Sequence, residues 1–272
     1  MIETKEIKRI GLIAGNGKLP FFVCQAAKEK GISVIVIGIK DELDLDLSKY
    51  ASKIYWIELG QGKGLLDVLK NENLDYATMA GKIRKTTILR QSFKMDAIAR
   101  DVLNKVINKG DNTVLQAVAN RLKKENIQLL DSTKFLKDLL AQRGIYTKKH
   151  PSGAQKLDID FGFKVAKKIA ELDIGQTVIV KEKAIIAVEA IEGTDKAIIR
   201  SGQLNKDCVV VKVARSNHDM RFDVPTVGLT TIKSMTKASA SVLVIEAGKT
   251  LVLEKEAMIS EADEAGICII AV

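Results

Sequence analysis

Asp219, Arg221 and Asp223 alternate within Ser216-Asn217-His218-Asp219-Met220-Arg221-Phe222-Asp223-Val224-Pro225, so an extended backbone would put two carboxylates and a guanidinium on one face. His218, Met220, Phe222 and Val224 would then form a mostly apolar back. In a helical turn Asp219 and Asp223 still align, and Pro225 stops regular structure in either case. Such a group can hold a hydrated divalent cation, activate a water and grip a phosphate. The same side chains also make a self-neutralising ion-pair ladder without any chemistry, and residue types alone leave both readings open.

Two glycine turns come next. Lys8 to Ala14 is a short apolar run of the buried parallel-strand kind, and it enters Gly15-Asn16-Gly17-Lys18-Leu19-Pro20. An amphipathic helix follows to about Lys30, with Pro20 in its first turn, and then a second strand, Ile32 to Gly38. Gly15 and Gly17 leave room for a ligand against a helix N-terminus, whose free N–H groups and dipole favour a phosphate. Pro20 stands where a dinucleotide fingerprint has its third glycine, and strand-to-helix turns use glycine for geometry alone. The second turn, Glu192-Gly193-Thr194-Asp195, follows the strand Ala184 to Ile191; Thr194 is expected to cap a helix to Arg200, closed by Gly202.

The remaining elements position these groups. A third strand is expected at Lys53 to Leu59, and Gly60-Gln61-Gly62-Lys63-Gly64 opens a helix without P-loop spacing. A fourth strand, Leu74 to Ala80, ends at Gly81-Lys82-Ile83-Arg84, where open α/β sheets bind ligands, so Lys82 and Arg84 are candidate phosphate partners. Helices are expected over 94–108, over 112–124 with Asp111 as N-cap, and over Ser132 to Leu140. The expected architecture is α/β: a Rossmann-like parallel-sheet domain over 1–143, a polar basic linker over 144–156, and a second α/β domain over 157–272 carrying the acidic cluster, with the site in the cleft between the domains.

Composition narrows the class. At 272 residues, with 46% hydrophobic and 28% charged residues, the chain has room for two ordinary cores, built from aliphatic side chains because aromatics are only 4%. No apolar run is long enough for a membrane span, and the first residues do not read as a secretory signal, which points to the cytoplasm. Cys24, Cys208 and Cys268 lack metal-ligand spacing and fit reduced buried thiols. A net charge of +9 suits a polyanionic substrate, an anionic membrane surface or nucleic acid. No aromatic residues interleave with the lysines, which argues against single-strand nucleic-acid binding.

The chain resembles the LpxI-type UDP-2,3-diacylglucosamine pyrophosphatases of lipid A synthesis. The resemblance lies in Ile10-Gly11-Leu12-Ile13-Ala14-Gly15-Asn16-Gly17-Lys18-Leu19-Pro20, in Val188-Glu189-Ala190-Ile191-Glu192-Gly193-Thr194-Asp195, in Lys212, and in Asp219 through Gly228. Asn16, Asn112 and His218 depart from the family pattern. The resemblance implies a magnesium-dependent hydrolase that converts UDP-2,3-diacylglucosamine to UMP and 2,3-diacylglucosamine 1-phosphate. It implies Asp219 as metal ligand or base, Asp223 as its partner, Arg221 as charge clamp, and Glu192 and Asp195 completing a metal shell. Substrate contacts are expected at Gly15, Gly17, Leu19, Gly81, Lys82, Asp111, Lys156, Gly193, Thr194, Arg200 and Lys212. The partners would be a nucleotide-sugar lipid and the cytoplasmic membrane surface, with a homodimer left open. The rival classes are a nicotinamide-dependent oxidoreductase using Asp41 as ribose ligand, and a nucleic-acid-binding module.

Overall fold

The computed structural model describes residues 7–84, 87, 94–104, 111–215, 219, 221, 222 and 224–272, with only the backbone path for 111–113. The chain forms two compact units, Met1–Lys137 with Asp219–Asp223, and Asp138–His218 with Val224–Val272.

In the first unit a five-stranded parallel sheet runs in the order β3-β2-β1-β4-β5: β1 Arg9–Ala14, β2 Ser33–Ile39, β3 Lys53–Ile57, β4 Tyr76–Ala80 and β5 Gln128–Leu130. The strands read as near-continuous Val, Ile and Ala because both faces are covered. Helix α1 (Leu19–Glu29) buries Val23, Cys24 and Ala27. On the face bearing Ile35, Ile37 and Ala77 lie Leu66 and Leu69 of α2 (Gly62–Asn71) and Ala119 and Leu122 of α4 (Asp111–Lys124), with α3 (Ala97–Asn104) beside α2. This is the Rossmann-like half the glycine and proline spacing predicts. The helix expected over Ser132 to Leu140 is instead two 3-10 turns, Ser132–Lys134 and Lys137–Leu139. Asp131 accepts from both the backbone N–H and the hydroxyl of Thr133 at 2.7 Å, a local bond that competes with α-helix.

At the amino-terminal edge of this sheet Glu72 gathers Lys53 Nζ (2.7 Å), the Tyr55 hydroxyl (2.5 Å) and Arg9 Nη2 (2.8 Å). Hydrogen bonds from Lys53, Tyr55 and Arg9 outweigh desolvation and hold its carboxyl down at about 2. Because the folded value lies below the ordinary carboxylate value of 4.5, the stabilisation is complete above that pH and is lost as pH falls toward 2. Glu72→Gln is therefore expected to flatten the acid limb of a melting-temperature profile between those two values; an unchanged limb would refute the assignment.

The second unit carries a six-stranded mixed sheet, β6-β13-β11-β9-β7-β8. Its strands are β6 Gly144–Ile145, β7 Thr177–Lys181, β8 Ala184–Val188, β9 Val209–Lys212, β11 Val242–Ile245 and β13 Cys268–Ala271. β9, β11 and β13 are parallel, while β7, β8 and β6 run antiparallel to their neighbours. Helix α5 (Gly153–Glu171) packs Ile159, Ala166 and Ala170 on the face bearing Val209, Val211 and Val244. Helices α6 (Thr194–Leu204), α7 (Leu229–Ala238) and α8 (Lys255–Glu264) cover the face bearing Val210, Leu243 and Ile245. The alternation of valines along β9 thus feeds two cores, as a period of two requires. A short pair, β10 (Thr226–Val227) with β12 (Leu251–Val252), lies beside them.

Residues 144–156, expected as a linker, are instead part of this unit. β6 pairs with β13, and Ser152 with Gln155 forms a capping box that starts α5 at Gly153, inside the expected linker. The three cysteines are buried free thiols, and burial pushes Cys24 up to about 12. Among the described residues no helix is long and apolar enough to cross a membrane.

Candidate functional site

In the first unit the strand order reverses at β1, and the turns after β1 and β4 meet at that switch point. Gly15 N donates to Ala80 O, and Asn16 and Lys82 exchange backbone bonds of 2.8 and 2.9 Å. A Cβ on Gly15 would stand 2.6 Å from Lys82 O, and one on Gly81, whose φ is +89°, would stand 2.7 Å from the Gly15 carbonyl. These two glycines are therefore required by each other's backbone. Gly17 differs: its φ is +95°, and a Cβ there would meet nothing within 4 Å. Gly81→Ala should cost on the order of 3 kcal/mol in urea unfolding, from clash plus strain. Gly17→Ala should cost only about 1 kcal/mol, from strain. Equal costs would overturn that distinction.

Leu19 opens α1, whose N-cap position, Lys18, makes no side-chain cap bond. The side chain of Lys82 is exposed beyond β4. Arg84, the other expected phosphate partner, is committed to the protein: it donates from its backbone N (3.0 Å) and Nε (3.3 Å) to buried Glu42, and from Nη2 to Asp41 O. The Thr87 hydroxyl adds a 2.5 Å bond to the same carboxylate. Asn16 donates to Glu42 O and to Asp44, tying the β2 exit to the turn.

Asp219, Arg221 and Phe222 lie in a turn rather than in an extended strand. Phe222 N donates to Asp219 O at 3.1 Å, and Arg221 N donates to Asp219 Oδ1 at 3.1 Å. The Arg221 guanidinium grips Asp219 through Nε (2.9 and 3.0 Å) and Nη2 (2.5 Å), and Nη2 also reaches Gln116 Oε1 on α4 at 3.2 Å. Phe222 packs against the first unit's core beneath the guanidinium, whose Cζ lies 5.0 Å from the ring centre. Bonding to Asp219 pushes Arg221 further up, so the guanidinium is permanently charged. About a third of each side chain stays exposed. Gln116 had no signal in the sequence beyond its place on an amphipathic helix. Asp223 and the side chain of Asp111 lie outside the described residues.

In the second unit the strand ends bring Lys212, Thr194 and Glu189 together. Lys212, 6% exposed, ends β9 and donates from Nζ to Thr194 Oγ1 at 2.7 Å. That hydroxyl donates to Glu189 Oε1 at 2.9 Å, and Glu189 Oε2 accepts the Gln176 backbone N–H at 3.3 Å. Burial pushes the Glu189 carboxyl up, but the Lys212 charge and bonds from Thr177, Thr194 and Gln176 prevail and hold it below the ordinary value. Thr194 is not the N-cap the spacing predicts. It is the first helical residue, buried and bonded sideways, and Gly193 (φ +84°) takes the cap position. Gly202 lies inside α6 and does not close it.

Glu192 accepts from Arg200 Nη2 at 2.6 Å, and that bond lowers its pKa. Arg200 also donates to Val188 O, so it braces the turn between β8 and α6. Asp195 lies in the first turn of α6, half-buried. Lys156 is placed away from this group: it is exposed in the first turn of α5, where Gln155 reaches Ser241 at the start of β11. Lys167, eleven residues on and about 16 Å along the helix, is the α5 lysine near the Lys212 end, donating to Ala214 O and to Glu246. Neither Glu189 nor Gln176 was expected at a site; both stand beside residues that were.

Among the described residues no three His, Cys, Asp or Glu side chains converge as a metal cage. Magnesium commonly uses one or two carboxylates plus substrate phosphates, and the part-exposed Asp219 carboxylate fits the first role. Glu192 is part-exposed as well, and each of the two carboxylates is paired with an arginine, Arg221 or Arg200, that would have to yield to a cation.

Residues 9–139 match the LpxI N-terminal domain and residues 142–270 the LpxI C-terminal domain. A UDP-2,3-diacylglucosamine pyrophosphatase LpxI of Caulobacter vibrioides is 29% identical over 98% of this chain and 98% of its own length. Among solved structures, a biotin carboxylase ATP-analogue complex from Campylobacter jejuni aligns over 73% of this chain and 42% of its own, at 15% identity and TM-score 0.30. An ADP complex of N5-carboxyaminoimidazole ribonucleotide synthetase aligns over 88% and 45%, at 14% identity and TM-score 0.29. This chain spans less than half of either structure, and likenesses that low carry no argument about its fold or chemistry. The two domain matches, in order and together covering nearly all of the sequence, place the chain in the LpxI family.

Proposed function

We propose that the protein hydrolyses the pyrophosphate bond of UDP-2,3-diacylglucosamine, releasing UMP and 2,3-diacylglucosamine 1-phosphate in lipid A synthesis. The observation that carries this is the end-to-end similarity to a relative of that name, over 98% of both chains. The geometry supports it. In the first unit the open Gly17 turn, the uncapped start of α1 and the exposed Lys82 suit the nucleotide's phosphates. Asp219, oriented by Arg221 and Gln116, is the group to accept a proton from the attacking water. The Arg221 guanidinium orients that carboxylate and, being permanently charged, can also stabilise negative charge developing on phosphoryl oxygen. In the second unit Lys212 and the Gly193–Thr194 turn offer positive charge and backbone N–H groups to a phosphate oxygen. A magnesium ion bound by Asp219, with Asp223 as its expected partner, would neutralise diphosphate charge and lower the pKa of a bound water. The formal charge of +9 suits an enzyme that meets its diacyl substrate at an anionic membrane surface.

Incubation of the purified protein with UDP-2,3-diacylglucosamine, with and without a chelator, tests the reading. Stoichiometric UMP and lipid 1-phosphate are expected, with turnover abolished by chelation and restored by magnesium. Intact substrate in the presence of folded protein and magnesium would overturn it; undiminished turnover in chelator would remove the metal.

A further inference from the structure

Lys212 is a flexible four-carbon side chain at the end of β9, and such an ammonium is a useful phosphate ligand only if something fixes where it stands. The Thr194 hydroxyl does so at 2.7 Å. Lysine ammonium only donates, so at this contact Thr194 Oγ1 accepts, and its single proton is directed to Glu189 Oε1 at 2.9 Å. Glu189 is in turn fixed by its main chain. Its N–H donates to Thr177 O at 2.9 Å, and its carbonyl approaches Gly175 so closely that a Cβ there would stand 2.0 Å away. Gln176 N then reaches its second carboxylate oxygen. Each link comes from a different element: β9, the start of α6, the exit of β8 and the entry to β7. Neighbouring charges have their own partners, Arg200 with Glu192 and Lys167 with Glu246.

We infer that Glu189 is a positioning residue that, through the Thr194 hydroxyl, fixes the Lys212 ammonium where it meets a phosphate oxygen of the substrate. This rests on the assignment of Lys212 to a substrate phosphate made above. Glu189 need not touch the substrate; it acts on the orientation of a side chain that does.

The test uses the full chain labelled with 15N-lysine and compares Glu189→Gln, Thr194→Val and Thr194→Ser, with Lys212→Arg to assign the Lys212 Nζ resonance. A hydrogen-bonded, buried ammonium gives a persistent Nζ signal because its exchange with water is slowed. The signal is expected in the wild type and in Thr194→Ser, and lost in Thr194→Val and Glu189→Gln. On the nucleotide-lipid substrate, kcat/KM should fall at least tenfold in the latter two and stay within threefold in Thr194→Ser. Should Glu189→Gln fail to fold, the Ser and Val variants at 194 decide the matter alone. Survival of the Nζ signal in Thr194→Val, or its loss with kcat/KM intact, overturns the inference. Failure of the functional reading shows differently, as no UMP release by the wild type, while the Nζ signals still report on the positioning chain.

Discussion

Asp219→Ala is expected to lower kcat by a factor on the order of 10²–10⁴ while leaving the melting temperature within a few degrees of wild type. The two halves of this expectation have separate causes. On the proposed function Asp219 accepts the proton of the attacking water, so its loss would remove a general base. Its pairing with Arg221 is part-exposed and local, two residues apart, so solvent screening leaves it worth no more than about 1 kcal/mol to folding. Steady-state turnover and a thermal melt on one preparation check both. Wild-type turnover in Asp219→Ala would remove the chemistry from this turn, whereas a collapse in stability would recast the pair as scaffold. Arg221→Lys makes a sharper control. Lysine keeps the charge but not the fork that spans Asp219 and Gln116, so kcat should still fall at least tenfold.

Lys212→Met should cost both stability and activity. The variant keeps the length of the side chain and removes the charge that holds Glu189 ionised. Breaking one side of a buried charge pair typically costs 3–5 kcal/mol, and the lower end, about 3 kcal/mol, applies here because Glu189 is only half-buried. Urea unfolding should show that loss at neutral pH. It should shrink in acid, where Glu189 takes up a proton, and partly vanish in the double variant Lys212→Met with Glu189→Leu, which removes the stranded charge. Activity should not return in the double variant, because no ammonium is left to meet the substrate. Recovery of both stability and activity would show that the pair is structural only.

Much of the fold was legible in the sequence because its signals are local. Gly15, Gly17 and Pro20 mark a strand-to-helix turn by backbone conformation alone, and the valine and isoleucine runs mark strands covered on both faces. What was not legible depended on distant partners. Residues 144–156 look like a linker by composition, yet Gly144 and Ile145 find a strand edge more than a hundred residues away at β13. Thr194 has the residue type of a cap, and only the arrival of Lys212 across the sheet assigns its hydroxyl elsewhere. Glu189 sits in an apolar run that reads as strand, and nothing nearby in sequence shows that Gly175 and Gln176 come up against it. At the acidic cluster the spacing of charges suits extended backbone and helical turn alike, and it is the short reach from Arg221 back to Asp219 that selects a turn.

The first unit is discontinuous: it closes only when Asp219 through Asp223 joins residues from the first half of the chain. During synthesis on the ribosome, the amino-terminal sheet must therefore wait for more than eighty further residues before Phe222 can dock and Arg221 can find Gln116. An amino-terminal fragment cut at the junction of the two family domains would carry the Gly15 and Gly81 turns and lack Asp219. On the proposed function, genetic halves of this protein supplied as separate polypeptides would each be inactive, and activity on mixing would report the return of that short segment to its host.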